Sequence, residues 1–173
     1  MSHHIRPSIP ASRARGFTLL EVLVSLVVLS IGLLGIGKLV MFSSRGNDSA
    51  YMRSQATALA YTVLDAMRTN RAQAVAGSYQ VALGAPVNPG TDCDTTTCSA
   101  TTLASYDIYK WKTTMSTALP AGDGTVTTAQ VADVNTGTML TQATITVQWN
   151  DVVAQQTFGA ANGTTSIVLE TIL

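Results

Sequence analysis

Residues 15–35 read RGFTLLEVLVSLVVLSIGLLG, and this stretch decides the fold. A basic, polar leader ends at Arg15-Gly16 and meets Phe17-Thr18-Leu19-Leu20-Glu21. An apolar run then extends from Val22 to about Val40, interrupted by Ser25, Ser30, Gly32, Gly35, Gly37 and Lys38. A bilayer needs roughly 20 residues of apolar helix, so the run is long enough to cross one. Arg6, Arg13 and Arg15 lie ahead of it, which predicts a cytoplasmic leader and an outward-facing remainder. Lys38, near the far end, can snorkel to the interface. The alternative is the core helix of a soluble fold, which needs neither so uniform an apolar stretch nor a basic flank.

The order of parts sets this leader apart from a secretory signal peptide. Such a peptide is cut after its apolar region, whereas here the small residue suited to cleavage, Gly16, comes before it. The apolar helix therefore stays on the mature chain. Glu21 lies inside it, and an ionised carboxylate within a membrane costs several kcal/mol unless a cation meets it. Cleavage after Gly16 would create an α-amino group on Phe17, four residues from Glu21 and at the same depth.

These residues resemble the prepilin leader and N-terminal segment of the type IV pilin superfamily. The resemblance implies that a prepilin peptidase/N-methyltransferase cuts between Gly16 and Phe17 and methylates the new amine of Phe17. It also implies that Glu21 neutralises the amine of a neighbouring subunit as a filament grows. A subunit that caps a filament can dispense with that carboxylate, so its presence suits a subunit with another above it.

The 173 residues suffice for one core domain plus an anchoring helix. Formal charge is zero overall, but three of the ten basic residues lie in the leader, leaving seven against ten acidic. A mature chain of net charge minus three, with no basic stripe, is a poor match for nucleic acid. Beyond the apolar run, Ala56, Leu59, Ala60, Val63 and Met67 recur at helical spacing while Arg53, Asp65, Arg68 and Arg71 can face water. Gly77 is the stop signal. One helix over residues 17–75 would be about 90 Å long at ~1.5 Å per residue. Gly32, Gly35 and Gly37 are its weak point, each costing about 1 kcal/mol against alanine.

The remainder reads as a loop over 78–101, a short helix and then strands. Ile108, Trp111, Met115 and Ala118 repeat at helical spacing up to Pro120. TVTTAQVADV, TMLTQATITVQWN, VVAQQTF and TTSIVLETIL, separated by turn residues, predict an antiparallel sheet of about four strands. The predicted class is α+β, a long N-terminal helix packed on a C-terminal sheet. Its expected parts are a leader (1–16), a membrane or filament-core half-helix (17–42), an amphipathic half-helix (43–76) and a periplasmic or extracellular head (77–173).

Cys93 and Cys98 are the only cysteines, and an even count outside the membrane favours a disulfide. A redox centre or half a metal site is the alternative, but the only histidines are His3 and His4 in the leader. Closing so short a loop stabilises by about 2 kcal/mol at most. No phosphate loop, Ser/His/Asp set or zinc spacing occurs in the mature chain, so neither enzyme nor cofactor is expected. Trp111 and Trp149 sit at apolar phase and read as core.

ALAYTVLDAMRTNRAQAVAGSY, the cysteine loop, DIYKWKTTMSTALPAGDGTV and the late ITVQW are similar to the PilV-type minor pilins of type IV pili. That resemblance implies a subunit held in the inner membrane by a single span with its C-terminus periplasmic, and later part of a surface pilus. Its partners would be other minor pilins, the major pilin and the inner-membrane assembly platform. Its role would be priming assembly near the tip, supporting adhesion and twitching motility. A minor pseudopilin of a type II secretion system shares the N-terminal machinery, and a DNA-uptake pilin would want a basic patch.

Overall fold

The computed structural model describes residues 16–151 and 163–173. The chain divides into two compact units with the boundary between Ser43 and Ser44. Helix α1 (Leu19–Thr69) contributes to both. Thr18 opens it: the Thr18 carbonyl accepts from the Val22 N–H at 3.3 Å, and its hydroxyl oxygen accepts from the Glu21 N–H, also at 3.3 Å. That hydroxyl satisfies one of the donors every helix start leaves unpaired. The helix runs through Gly32, Gly35 and Gly37 without a break. Within the first unit every described residue is exposed. Ser25 and Ser30 return their hydroxyls to the Glu21 and Leu26 carbonyls at 2.7 Å, so neither presents an unmet donor to an apolar environment.

In the second unit the later turns of α1 become amphipathic. Ala56, Leu59, Ala60, Val63, Leu64 and Met67 are buried, while Arg53, Asp65 and Arg68 face outward. The helix does not continue to residue 75 as one piece. Asn70 leaves helical geometry (φ −113°, ψ 49°) and donates from its side chain to the Ala100 carbonyl at 2.7 Å; a separate turn, α2 (Arg71–Val75), follows. Asparagine stabilises such a break because its amide competes locally for backbone partners. Gly77, at φ 85°, then reverses the chain.

Helix α3 (Ala100–Ala118) is capped by Ser99, whose hydroxyl oxygen accepts from the Thr102 N–H at 3.1 Å. Its buried stripe is Ala104, Ile108, Trp111, Lys112 and Met115. Ala118, expected on that stripe, is exposed; the chain leaves the helix there and Leu119 takes the core position.

Strands β1 (Asp123–Ala132), β2 (Met139–Asn150) and β3 (Thr164–Ile172) form an antiparallel sheet in the order β1-β2-β3. In β2, Ile145, Val147 and Trp149 are buried and alternate with Thr144, Thr146 and Gln148, as a one-sided sheet requires. Three of the four expected strands are thus present; VVAQQTF, residues 152–158, lies outside the described residues, and β2 pairs directly with β3. Gly124 lets α3 approach β1, since a Cβ there would stand 2.7 Å from the Trp111 ring and 2.6 Å from the Thr146 carbonyl oxygen. The core gathers the buried faces of α1, α3 and the sheet around Leu64, Met67, Tyr79, Trp111, Met115 and Trp149. The class is α+β, with a long N-terminal helix whose later turns pack against an antiparallel sheet, consistent with the type IV pilin fold.

Candidate functional site

The candidate processing segment begins at the first described residue. Gly16, Phe17 and Thr18 precede α1 in no regular structure, and Phe17 is 82% exposed. Glu21 lies in the first turn, where a carboxylate is favoured by the helix dipole. It is exposed, and among the described residues no cation is paired with it. Large apolar side chains surround it: Leu19, Leu20, Val22, Leu23 and Val24 are all exposed. Nothing among the described residues of the first unit covers them, and an exposed apolar surface of this kind suits an external apolar medium. Arg6, Arg13, Arg15, His3 and His4 lie outside the described residues.

Thr18 and Glu21 form a pair that the sequence reading does not single out. Thr-x-x-Glu before an apolar run is the signature of a capping box, and Thr18 fulfils its half of it. The spacing alone is enough to find it.

The cysteines occupy the loop before α3. Cys93 and Cys98 are joined, with Cα atoms 5.5 Å apart. Asp92 and Asp94 flank the first of them and hold the loop against α3. The Tyr106 hydroxyl lies 2.8 Å from Asp92 and 3.0 Å from Asp94, and the Lys110 ammonium donates to Asp94 at 2.7 Å. These bonds depress both carboxyls below the ordinary 3.8, chiefly through Tyr106 for Asp92 and Lys110 for Asp94. The same contacts raise the Tyr106 phenol.

Two polar links inside the second unit are absent from the sequence reading. Lys112 is 3% exposed; its ammonium donates to the carbonyls of Ala82 at 2.6 Å and Gly84 at 2.8 Å and pairs with Asp123 at 2.9 Å. Asp123 also accepts from the N–H groups of Gly84 and Gly124, both at 2.7 Å. Burial opposes ionisation of Asp123, but Lys112 and these amides outweigh it and lower its pKa. The available signal is positional: Lys112 follows Ile108 by four residues, in phase with the core stripe. The second link joins Tyr79, whose hydroxyl donates to Asp107 at 2.7 Å. Burial raises both groups, and the hydrogen bond to Tyr79 partly offsets the rise at Asp107.

Trp111 and Trp149 are core residues, as their phase predicts. The Trp111 indole N–H donates to the Leu59 carbonyl at 2.9 Å. A groove of about 290 Å³ runs between the later turns of α1 and α3, with Leu59, Val63, Leu103, Tyr106 and Trp111 among its walls. The carboxylates beside it, Asp94 and Asp107, are engaged as described. No group of three His, Cys, Asp or Glu suited to a metal ion occurs among the described residues.

Residues 11–37 match the family model described as the prokaryotic N-terminal methylation motif. The match spans Gly16, Phe17, Glu21 and most of the apolar run, and it indicates a type IV pilin-like prepilin. No curated protein and no solved structure matches the chain.

Proposed function

We propose that this chain is a minor pilin of a type IV pilus, of the PilV type: a non-enzymatic subunit that helps prime assembly and sits in a tip-associated minor pilin complex. A methylation motif marks pilins and pseudopilins alike, so the coarser assignment to that group of structural subunits rests on it directly. The observation that carries the reading is one helix, α1, that begins inside this motif as a bare apolar rod and ends as part of the core of an α+β head.

In this reading residues 1–16 are removed by a prepilin peptidase/N-methyltransferase, which leaves a methylated amine on Phe17. Residues 17–42 hold the precursor in the inner membrane by a single span and later enter the filament core. Residues 43–76 join them to a periplasmic head, residues 77–173, that reaches the cell surface on assembly. Glu21 supplies the negative charge that meets a neighbour's amine; its exposed position, with no cation paired to it among the described residues, supports that role. The expected neighbours are other minor pilins, the major pilin and the inner-membrane assembly platform. The sequence similarities in DAMRTN, the cysteine loop and LPAGDG support the pilus over the type II secretion pseudopilus.

Glu21→Ala is expected to leave leader cleavage intact and to reduce recovery of the protein in sheared pili; normal incorporation would sink the pairing role. Gly16→Trp is expected to leave an uncleaved precursor, and a mass spectrum showing an N-terminus at Phe17 would refute the cleavage assignment. Deleting the chain and scoring piliation, twitching, secretion and transformation separately distinguishes the classes. Loss of piliation and twitching with normal secretion is expected. Loss of secretion alone would make it a pseudopilin.

A further inference from the structure

None of residues 82–99 is buried, yet the loop they form is fixed at two points. At the first, Lys112 donates to the Gly84 carbonyl at 2.8 Å and Asp123 accepts from the Gly84 N–H at 2.7 Å. At the second, Lys110 holds Asp94, Tyr106 holds Asp92, and the Cys93–Cys98 bridge closes the chain. Residues 85–91 run between these points. They turn at Gly90, whose φ is 73° and whose N–H donates to the Asn88 side-chain oxygen at 2.8 Å. Order imposed on an exposed loop removes freedom that a ligand would otherwise have to freeze.

That turn forms one side of a cleft of about 360 Å³ lined by Asn88, Gly90, Thr91, Asp92, Tyr106 and Tyr109. The two tyrosines stand three residues apart on α3 and so share one face of it. Tyr106 alone lines both this cleft and the apolar groove beside α1. The Tyr106 hydroxyl is spent on Asp92 and Asp94, but the rest of the wall keeps open capacity. Among the described residues nothing bonds to the Asn88 amide nitrogen, the Thr91 hydroxyl or the Tyr109 hydroxyl.

These walls select a ligand partly by what they lack. No aliphatic side chain lines the cleft, so an apolar peptide side chain finds no seat there. Asp92 repels an anion, and Lys110 is already committed to Asp94. A calcium ion takes about six to eight oxygens, and Asp92 is the one carboxylate in the wall. Neutral donors and acceptors beside a tyrosine ring are what sugar hydroxyls and the C–H face of a sugar ring require. We propose that this cleft binds an uncharged oligosaccharide. One sugar ring lies against Tyr109, donates a hydroxyl to Asp92 and exchanges further hydrogen bonds with Asn88 and Thr91. The site belongs to the head by itself, so it stands for a pilus subunit and a pseudopilus subunit alike.

The test titrates the full chain, in a phosphocholine detergent that carries no sugar headgroup, with lactose and with diacetylchitobiose while NMR follows the amide signals. Millimolar additions of at least one are expected to shift Gly90, Thr91 and Tyr109. Which one responds separates a galactoside from an N-acetylglucosamine glycan. Tyr109→Ala is expected to weaken binding at least about tenfold and Thr91→Val about threefold, with circular dichroism unchanged. Thr62→Val, in the apolar groove, should leave the affinity as it is. If Tyr109→Ala does not fold, Tyr109→Phe takes its place and is expected to weaken binding about threefold by loss of the hydroxyl. No shift with either disaccharide would overturn the proposal, as would undiminished binding by the folded Tyr109 variant. Shifts at these residues with sialyllactose, calcium chloride or tetra-alanine alone would overturn it too, by assigning the cleft to an anion, a cation or a peptide.

Discussion

Leu26 and Leu64 lie on the same helix, yet the first is 57% exposed and the second 1%. Around Leu26 apolar residues occupy nearly every position, so no face is distinct and no protein surface is needed to match it. Around Leu64 they recur every three or four residues, and the rest of the second unit is built against that stripe. The backbone is the same in both places; the sequence pattern selects the solvent. The first stretch is adapted to an external apolar medium, the second to an internal core.

The comparison predicts that stability of the head resides entirely in the second stretch and its partners. Leu64→Ala is expected to destabilise the head by about 2–5 kcal/mol in denaturant unfolding, whereas Leu26→Ala should leave the midpoint unchanged. A comparable loss at Leu26 would break the contrast. Lys112→Met leaves Asp123 and two carbonyls without their cation. It is expected to cost about 3 kcal/mol, at the low end for a broken buried pair because Asp123 keeps some solvent. An unchanged melting temperature would show that the clamp contributes nothing net.

Smaller effects sharpen the picture further. Replacing Cys93 and Cys98 by serine should cost at most about 2 kcal/mol and increase amide exchange mainly within residues 92–98. Acid should act on the same loop. Asp92 and Asp94 have depressed pKa values, so their contribution is present above 3.8 and is lost as pH falls through the lower folded values. Tyr106 ring signals in NMR should report that release before the core melts. Asp107 runs the other way: its raised pKa makes its ionisation a cost at neutral pH, relieved by acid, so Asp107→Asn should not destabilise.

Periodicity and turn chemistry make much of this legible in advance. The apolar run, the stripe from Ala56 to Met67, the alternation in β2 and the proximity of Cys93 to Cys98 are all properties of local spacing. What escapes is decided by neighbours distant in sequence. Nothing near Lys112 reveals that Asp123 and the Ala82 and Gly84 carbonyls converge on it. Tyr79 and Asp107 are likewise brought together only by packing. Asn70 interrupts a helix that periodicity carries to residue 75, because a single side chain reaching Ala100 outweighs a modest local preference. In the candidate site itself, the order of Gly16, Phe17 and Glu21 carries the match to the methylation motif, while the Thr18 cap is easily overlooked although its signature is present.

That cap has a mechanical meaning for any enzyme that must approach the chain. A peptidase takes its substrate as an open strand, and a helical bond is closed to it by the ladder of the helix itself. Thr18 marks where the ladder begins, one residue after Phe17. The bond between Gly16 and Phe17 is therefore left outside it, already unwound. Under the proposed processing, moving the helix start two residues toward the N-terminus would wind the Gly16–Phe17 bond into the first turn and so guard the leader against removal.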